Sequence, residues 1–171
     1  MYAECRQRPE ARSVGTVARA RRETSAGRPI ESAAFEEKNV STVKVRPFLM
    51  FEGRAEEALS FYVSLFPGSK VLDVLRYGPG QAGAEASVMK ATFLLGGQEV
   101  MCTDSVVKHG FTFTPAFSLF VECESEEEVR RLSSALSDGG STLMSLGEYG
   151  FSRLFAWVTD RYGVSWQLNL A

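Results

Sequence analysis

His109 is the only histidine in the chain, and it follows Asp104 and Lys108 and precedes the alternating pair Phe111 and Phe113. An imidazole titrates near neutrality, so here it would act as a general base or orient a ligand beside two aromatic walls; as a structural residue it would cap its own segment. Glu122 is the carboxylate best placed for similar work. In the run Phe117–Cys123, alternation puts Leu119, Val121 and Cys123 on one face and Ser118, Phe120 and Glu122 on the other. If the first face packs on a helix, the second faces a cavity, where Glu122 would move a proton or, at the end of the strand, simply meet water. Trp157 and Trp166 offer flat faces to a planar ligand, with core packing the alternative for at least one of them. Cys102 and Cys123 lie in apolar runs and read as small core residues rather than nucleophiles. No Ser-His-Asp order, phosphate loop or paired-carboxylate spacing stands out.

Positioning these residues requires strands and helices, and the chain writes them twice. Val43-Lys-Val-Arg-Pro-Phe-Leu-Met-Phe is a β-rich run, and Ala55, Ala58, Leu59, Tyr62, Val63 and Phe66 fall at helical spacing before Pro67-Gly68 stops the helix. Lys70–Tyr77 makes a strand, and Ser87–Leu95 with Glu99–Cys102 forms a hairpin about Gly96-Gly97. The order is then repeated. Phe117–Cys123 is a strand, Ser125-x-x-Glu128 is a capping box for a helix on Val129, Leu132 and Leu136, and Asp138-Gly139-Gly140 ends it. Ser141–Leu146 is a strand, and Phe155–Leu170 closes the second unit as two strands joined by a turn at Asp160–Gly163. A shift of 71 aligns the helices and a shift of 66 aligns the last strands, Met101 falling on Gln167. A β-α-β-β-β unit cannot bury both faces of its sheet, so two copies pair; the expected fold is α+β, with modules 43–104 and 114–171 enclosing a cleft.

Composition narrows the function classes. With 171 residues, 44% hydrophobic and 23% charged, the chain suffices for one ordinary domain. Residues 1–42 carry eight Lys or Arg against six acids, lack a sustained apolar period, and read as a disordered extension. The remainder carries eleven against fifteen, a poor match for nucleic acid. No apolar run reaches the ~20 residues of a membrane span. Three cysteines without C-x-x-C spacing suggest neither disulfides nor a zinc knuckle, so a cytoplasmic location is expected.

Paired modules of this kind resemble the vicinal oxygen chelate superfamily, the glyoxalase/bleomycin resistance/dihydroxybiphenyl dioxygenase-like fold. Pro47-Phe-Leu-Met-Phe-Glu-Gly-Arg-Ala-Glu-Glu-Ala-Leu-Ser-Phe-Tyr-Val-Ser-Leu-Phe-Pro, Phe111-Thr-Phe-Thr-Pro-Ala-Phe-Ser-Leu-Phe-Val-Glu-Cys and Asp160-Arg-Tyr-Gly-Val-Ser-Trp-Gln look like its PhnB-like branch, which is often labelled demethylubiquinone methyltransferase-like. The resemblance covers residues 43–171. Metal-using members of the superfamily place ligands on the first and last strands of each module. Here the aligned positions are Pro47, Met101, Ser118 and Gln167, of which only Gln167 is a plausible ligand, so no metal or other cofactor is expected. The expectation is therefore a small-molecule binding protein, its aromatic cleft lined by Phe111, Phe113, Ser118, Phe120, Trp157, Trp166 and Gln167. The alternative is an enzyme of the same fold, a lyase, isomerase or dioxygenase, in which His109 or Glu122 moves a proton. Nothing resembles the glycine fingerprint of a methyl-donor enzyme. The resemblance also implies a homodimer, since members commonly pair modules between chains.

Overall fold

A computed structural model describes residues 43–171; the extension expected over residues 1–42 lies outside them. The first module runs β1 (Phe48–Phe51), α1 (Ala55–Leu65), β2 (Lys70–Arg76), β3 (Val88–Leu95) and β4 (Gln98–Asp104). The second repeats it as β5 (Leu119–Glu122), α2 (Glu126–Ser137), β6 (Ser141–Tyr149), β7 (Ser152–Thr159) and β8 (Ser165–Leu170). Each module builds one four-stranded sheet, in the orders β1-β4-β3-β2 and β5-β8-β7-β6. The first strand of each lies parallel to the last, and the other pairings are antiparallel. Identical strand order and sense in both sheets bear out the repeat and the α+β fold expected from the sequence.

The helices form where the apolar period said they would. Ala55, Ala58, Leu59 and Tyr62 are the buried face of α1, and Val129, Leu132 and Leu136 that of α2. Their starts are satisfied by different means. Ser125 caps α2 by accepting the Glu128 N–H at 3.2 Å, while the Glu128 carboxylate reaches back one residue beyond the usual box to the Glu124 N–H at 3.0 Å. Arg54 gives α1 no side-chain cap. Instead Asp104, at the end of β4 and buried, accepts the N–H groups of Gly53 (2.8 Å) and Ala55 (2.9 Å) on one oxygen and that of Val88 (3.1 Å) on the other.

The two modules meet through α1 and the inner face of the second sheet. Tyr62 donates its hydroxyl to Asp160 at 2.7 Å, Phe66 stacks on Trp166 with centroids 5.6 Å apart, and Arg131 donates to the Leu65 carbonyl at 3.0 Å. One continuous apolar core results, from Leu49 and Phe51 to Trp166 and Leu168. Burial alternates along β1 and β5, leaving Phe48 55% and Phe120 56% exposed on the faces turned away from the helices. The clefts between the modules are accordingly two cavities, each wrapped around an edge strand.

Two strands begin later than expected. Val43 and Val45 stand 86% and 87% exposed ahead of β1, and no neighbouring strand pairs with them among the described residues. β5 opens at Leu119, because the Phe117 N–H turns back to the Thr114 carbonyl and the Ser118 hydroxyl to that of Pro115.

Candidate functional site

The first cavity, about 640 Å³, forms where the connector between modules folds back over β1. It brings His109, Phe111 and Phe113 together with Phe48 and Met50 of β1, Arg54 at the start of α1, and Tyr162 from the β7–β8 turn. Phe113 is the wedge: its ring lies 5.2 Å from that of Phe51, and its edge would touch a Cβ built on Gly163 at 3.5 Å. Phe111 is 66% exposed and stands 4.8 Å, centroid to centroid, from His109, so two flat groups line the mouth. Opposite them the Arg54 guanidinium lies 4.5 Å over the Tyr162 ring and donates to the Arg161 carbonyl at 3.0 Å. Burial, with the nearby charge of Glu57, raises the pKa of the Tyr162 hydroxyl above its ordinary value, so its ring stays a neutral phenol at physiological pH.

His109 is held at both ends. Its backbone N–H donates to Glu52 at 2.9 Å, and its Nε2 sits 2.8 Å from the Ser105 hydroxyl. Ser105 is also within 2.8 Å of the Val107 carbonyl, to which it can give its one hydrogen. In that arrangement Nε2 carries a proton to Ser105, and Nδ1 is the basic nitrogen.

Six other expected residues lie elsewhere. Ser118, Trp157 and Gln167 form a polar cluster on the second sheet around Ser165: the hydroxyls of Ser118 and Ser165 are 2.8 Å apart, Trp157 Nε1 donates to Ser165 at 2.9 Å, and Gln167 Nε2 to Ser118 at 3.3 Å. Phe120, directly opposite Gln167 in the β5–β8 pairing, belongs to the same face. Glu122 shares that face but lines a second cavity at its edge, with Glu124 and Glu128 and not with His109. Trp166 must be corrected. It is 1% exposed, packs between Tyr62 and Phe66, and donates Nε1 to Asp160 at 2.8 Å, so it is core; only its edge reaches the second cavity, and its ring face is not open for stacking.

The strand register also revises the aligned ligand positions. Phe48, not Pro47, stands beside Met101, and Phe120 stands beside Gln167 with Ser118 two residues earlier on the same face. The donor set is no richer for the change, since Gln167 and Ser118 carry its only oxygens. Among the described residues no three of His, Cys, Asp or Glu converge. These residues do not fit a divalent ion needing four or more protein ligands.

The thiols fit no nucleophile either. Burial, then the charge of Asp104, pushes Cys102 up to about 12, and burial, then Glu128, pushes Cys123 up to about 11. Both remain protonated at neutral pH.

Sequence reasoning missed Arg54 and Tyr162. Arg54 reads as one more polar residue before a helix, and nothing local ties Tyr162 to a strand 111 residues away. The Asp-Arg-Tyr-Gly turn signal was the one available clue.

Residues 43–169 match the family described as 3-demethylubiquinone-9 3-methyltransferase. The solved structure of the PhnB protein from Bacillus cereus is 54% identical, covering 75% of this chain and 100% of that one, with a TM-score of 0.74. Among curated proteins, YjdN of Escherichia coli (strain K12) is 22% identical over 138 residues, 72% of this chain and 92% of its own length. The fosfomycin resistance protein FosX from Listeria monocytogenes, solved with Mn(II) and sulfate, shares the fold at 12% identity and a TM-score of 0.52, over 77% of this chain and 93% of that one.

Proposed function

The chain belongs to the family described as 3-demethylubiquinone-9 3-methyltransferase, and from that membership we propose that it is a PhnB-like vicinal oxygen chelate protein that binds a small organic molecule in the first cavity without the superfamily metal. The observation that carries this is the convergence of Phe48, Phe111, Phe113, Tyr162 and His109 around about 640 Å³, the size and lining of a small-ligand site. The poor donor set on both sheets argues for binding through shape and a few polar groups. The family description alone does not bring methyl transfer to this chain, because the turn into α1, Phe51-Glu-Gly-Arg, is no Gly-x-Gly cradle. Two free buried thiols, Cys102 and Cys123, suit a reducing cytoplasm.

A thermal-shift screen of planar aromatic compounds tests the site. Phe111→Ala weakens binding of a hit roughly tenfold, the effect of losing about 1.4 kcal/mol of ring contact. Its own melting temperature barely changes, because Phe111 is largely exposed. Hits that bind Phe111→Ala as tightly as the wild type place the ligand elsewhere.

The enzymatic reading keeps the same cavity and rests on the His109–Ser105 pair, which leaves Nδ1 free as a base. It requires His109→Ala to abolish turnover of a bound compound while leaving its affinity nearly intact.

The working unit is a homodimer. Phe48 and Leu75 in the first sheet, and Phe120 and Leu143 in the second, are exposed to an extent that a monomer would expose to water at a cost. Light scattering at micromolar concentration gives the mass of two chains, and Phe48→Asp with Phe120→Asp gives one. A monomeric wild type under the same conditions rejects the dimer.

A further inference from the structure

We infer that the second cavity is a separate binding site for a hydrophobic organic cation, an amine or quaternary ammonium carrying a ring or short alkyl chain. The cavity holds about 610 Å³ between β5 and the β3–β4 turn. Its floor is apolar, formed by Phe66, Leu95, Val100, Leu119 and Val121 with the edge of Trp166. The charged residues of its rim are all acidic, with Gln98 the one neutral polar side chain beside them. Glu122, Glu124 and Glu128 line it, and no Lys, Arg or His does, whereas the first cavity mixes Arg54, His109 and Glu52.

Several observations give that charge a direction. Glu122 and Glu124 form no ion pair among the described residues, and Glu128 spends one oxygen on the Glu124 N–H, leaving the other. The positive end of α2 lies here, but Glu126, Glu127 and Glu128 in its first turn outweigh the half charge of a helix terminus. Arg131 is turned to the Leu65 carbonyl and stays out of the lining. An apolar floor lowers the local dielectric, which strengthens both the repulsion among the carboxylates and the gain from a cation placed between them. A hydrocarbon tail against Leu95, Val100 and Leu119, with the ammonium between Glu122 and Glu124, satisfies floor and rim together; an anion satisfies only the floor.

The test is a nuclear magnetic resonance titration of the full chain with phenethylammonium, with 3-phenylpropanoate as the anion of matching shape. The inference expects phenethylammonium to shift the amides of residues 95–98 and 119–122, to bind at least tenfold more tightly than the acid, and to weaken as salt is added. The double variant Glu122→Gln, Glu124→Gln loses at least tenfold in affinity for the amine while its unfolding midpoint stays put, both side chains being exposed. Phe111→Ala, in the other cavity, leaves amine binding unchanged. Equal binding of amine and acid, shifts spread outside the cavity, or unaltered amine affinity in the double variant each overturns it.

Discussion

Replacing Asp160 with alanine lowers the melting temperature by roughly 10–20 °C, the shift expected of about 4 kcal/mol in a domain of this size. Asp160 is 3% exposed, and both its oxygens are filled. Oδ2 accepts the Tyr62 hydroxyl (2.7 Å) and Trp166 Nε1 (2.8 Å); Oδ1 accepts the N–H groups of Tyr162 (2.8 Å) and Val164 (3.0 Å). Hydrogen bonds to a charged partner contribute about 1.5–3 kcal/mol each and do not add fully, but alanine also strands four donors, at least two of them on large buried rings. Tyr62→Phe removes one donor and leaves the carboxylate three, so it costs only about 1–2 kcal/mol. The Tyr62 hydroxyl is held protonated, first by burial and then by the Asp160 charge, so it remains a donor across the physiological range. Calorimetry on both variants checks the ranking; an Asp160→Ala protein melting within about 2 °C of the wild type would show that the aspartate does not tie the modules together.

Gly140→Ala is expected to cost roughly 3–5 kcal/mol, for a reason of space alone. A Cβ at Gly140 would overlap the Thr159 carbonyl oxygen and stand 2.9 Å from the Asp160 Cα and carbonyl carbon, all of it backbone that cannot turn aside. Relieving the overlap means moving the start of β6 away from β7, where Ser141 pairs with Thr159, and disturbing the Asp160 network with it. Gly139, one residue earlier, is the control. Its φ of +72° disfavours alanine by about 1 kcal/mol, yet the nearest atom to a Cβ there is the Arg161 Cβ at 3.4 Å. Urea denaturation of the two variants should therefore separate them by several-fold in destabilisation. Equal losses would mean that backbone conformation, and not packing, sets the glycine requirement.

Periodicity made the fold readable. The burial patterns of α1, α2 and β3 follow directly from spacing, and the hairpin loops announced themselves through glycines that do adopt positive φ, +53° and +87° at Gly96 and Gly97 and +91° at Gly163. Alternation also separates the two expected residues of β8. Trp166 and Gln167 are neighbours in β8 and point to opposite faces, so only one of them can belong to an exposed site; Gln167 does, and Trp166 faces the core. What local pattern could not supply was the register of two short edge strands pairing in parallel with segments about 50 residues away, which moved the aligned positions from Pro47 to Phe48 and from Ser118 to Phe120. The division of the expected site residues has the same origin. Whether His109 and Gln167 share a cavity depends on how the modules dock, and that is decided by Tyr62, Phe66, Asp160 and Trp166, none of which carries a local sign of its partner.

The parallel pairing of first and last strands also bears on how the chain folds as it leaves the ribosome. β5 has no sheet to join until β8 has been made, because β8 separates it from β7. The first module is complete at Asp104, but the face of α1 that presents Tyr62 and Phe66 waits about another 60 residues for Asp160 and Trp166. A nascent chain paused between those points therefore carries a folded first half with an uncovered aromatic surface. Chaperone engagement and aggregation are expected to concentrate in that window, so slow translation of the second helix and its hairpin is hazardous.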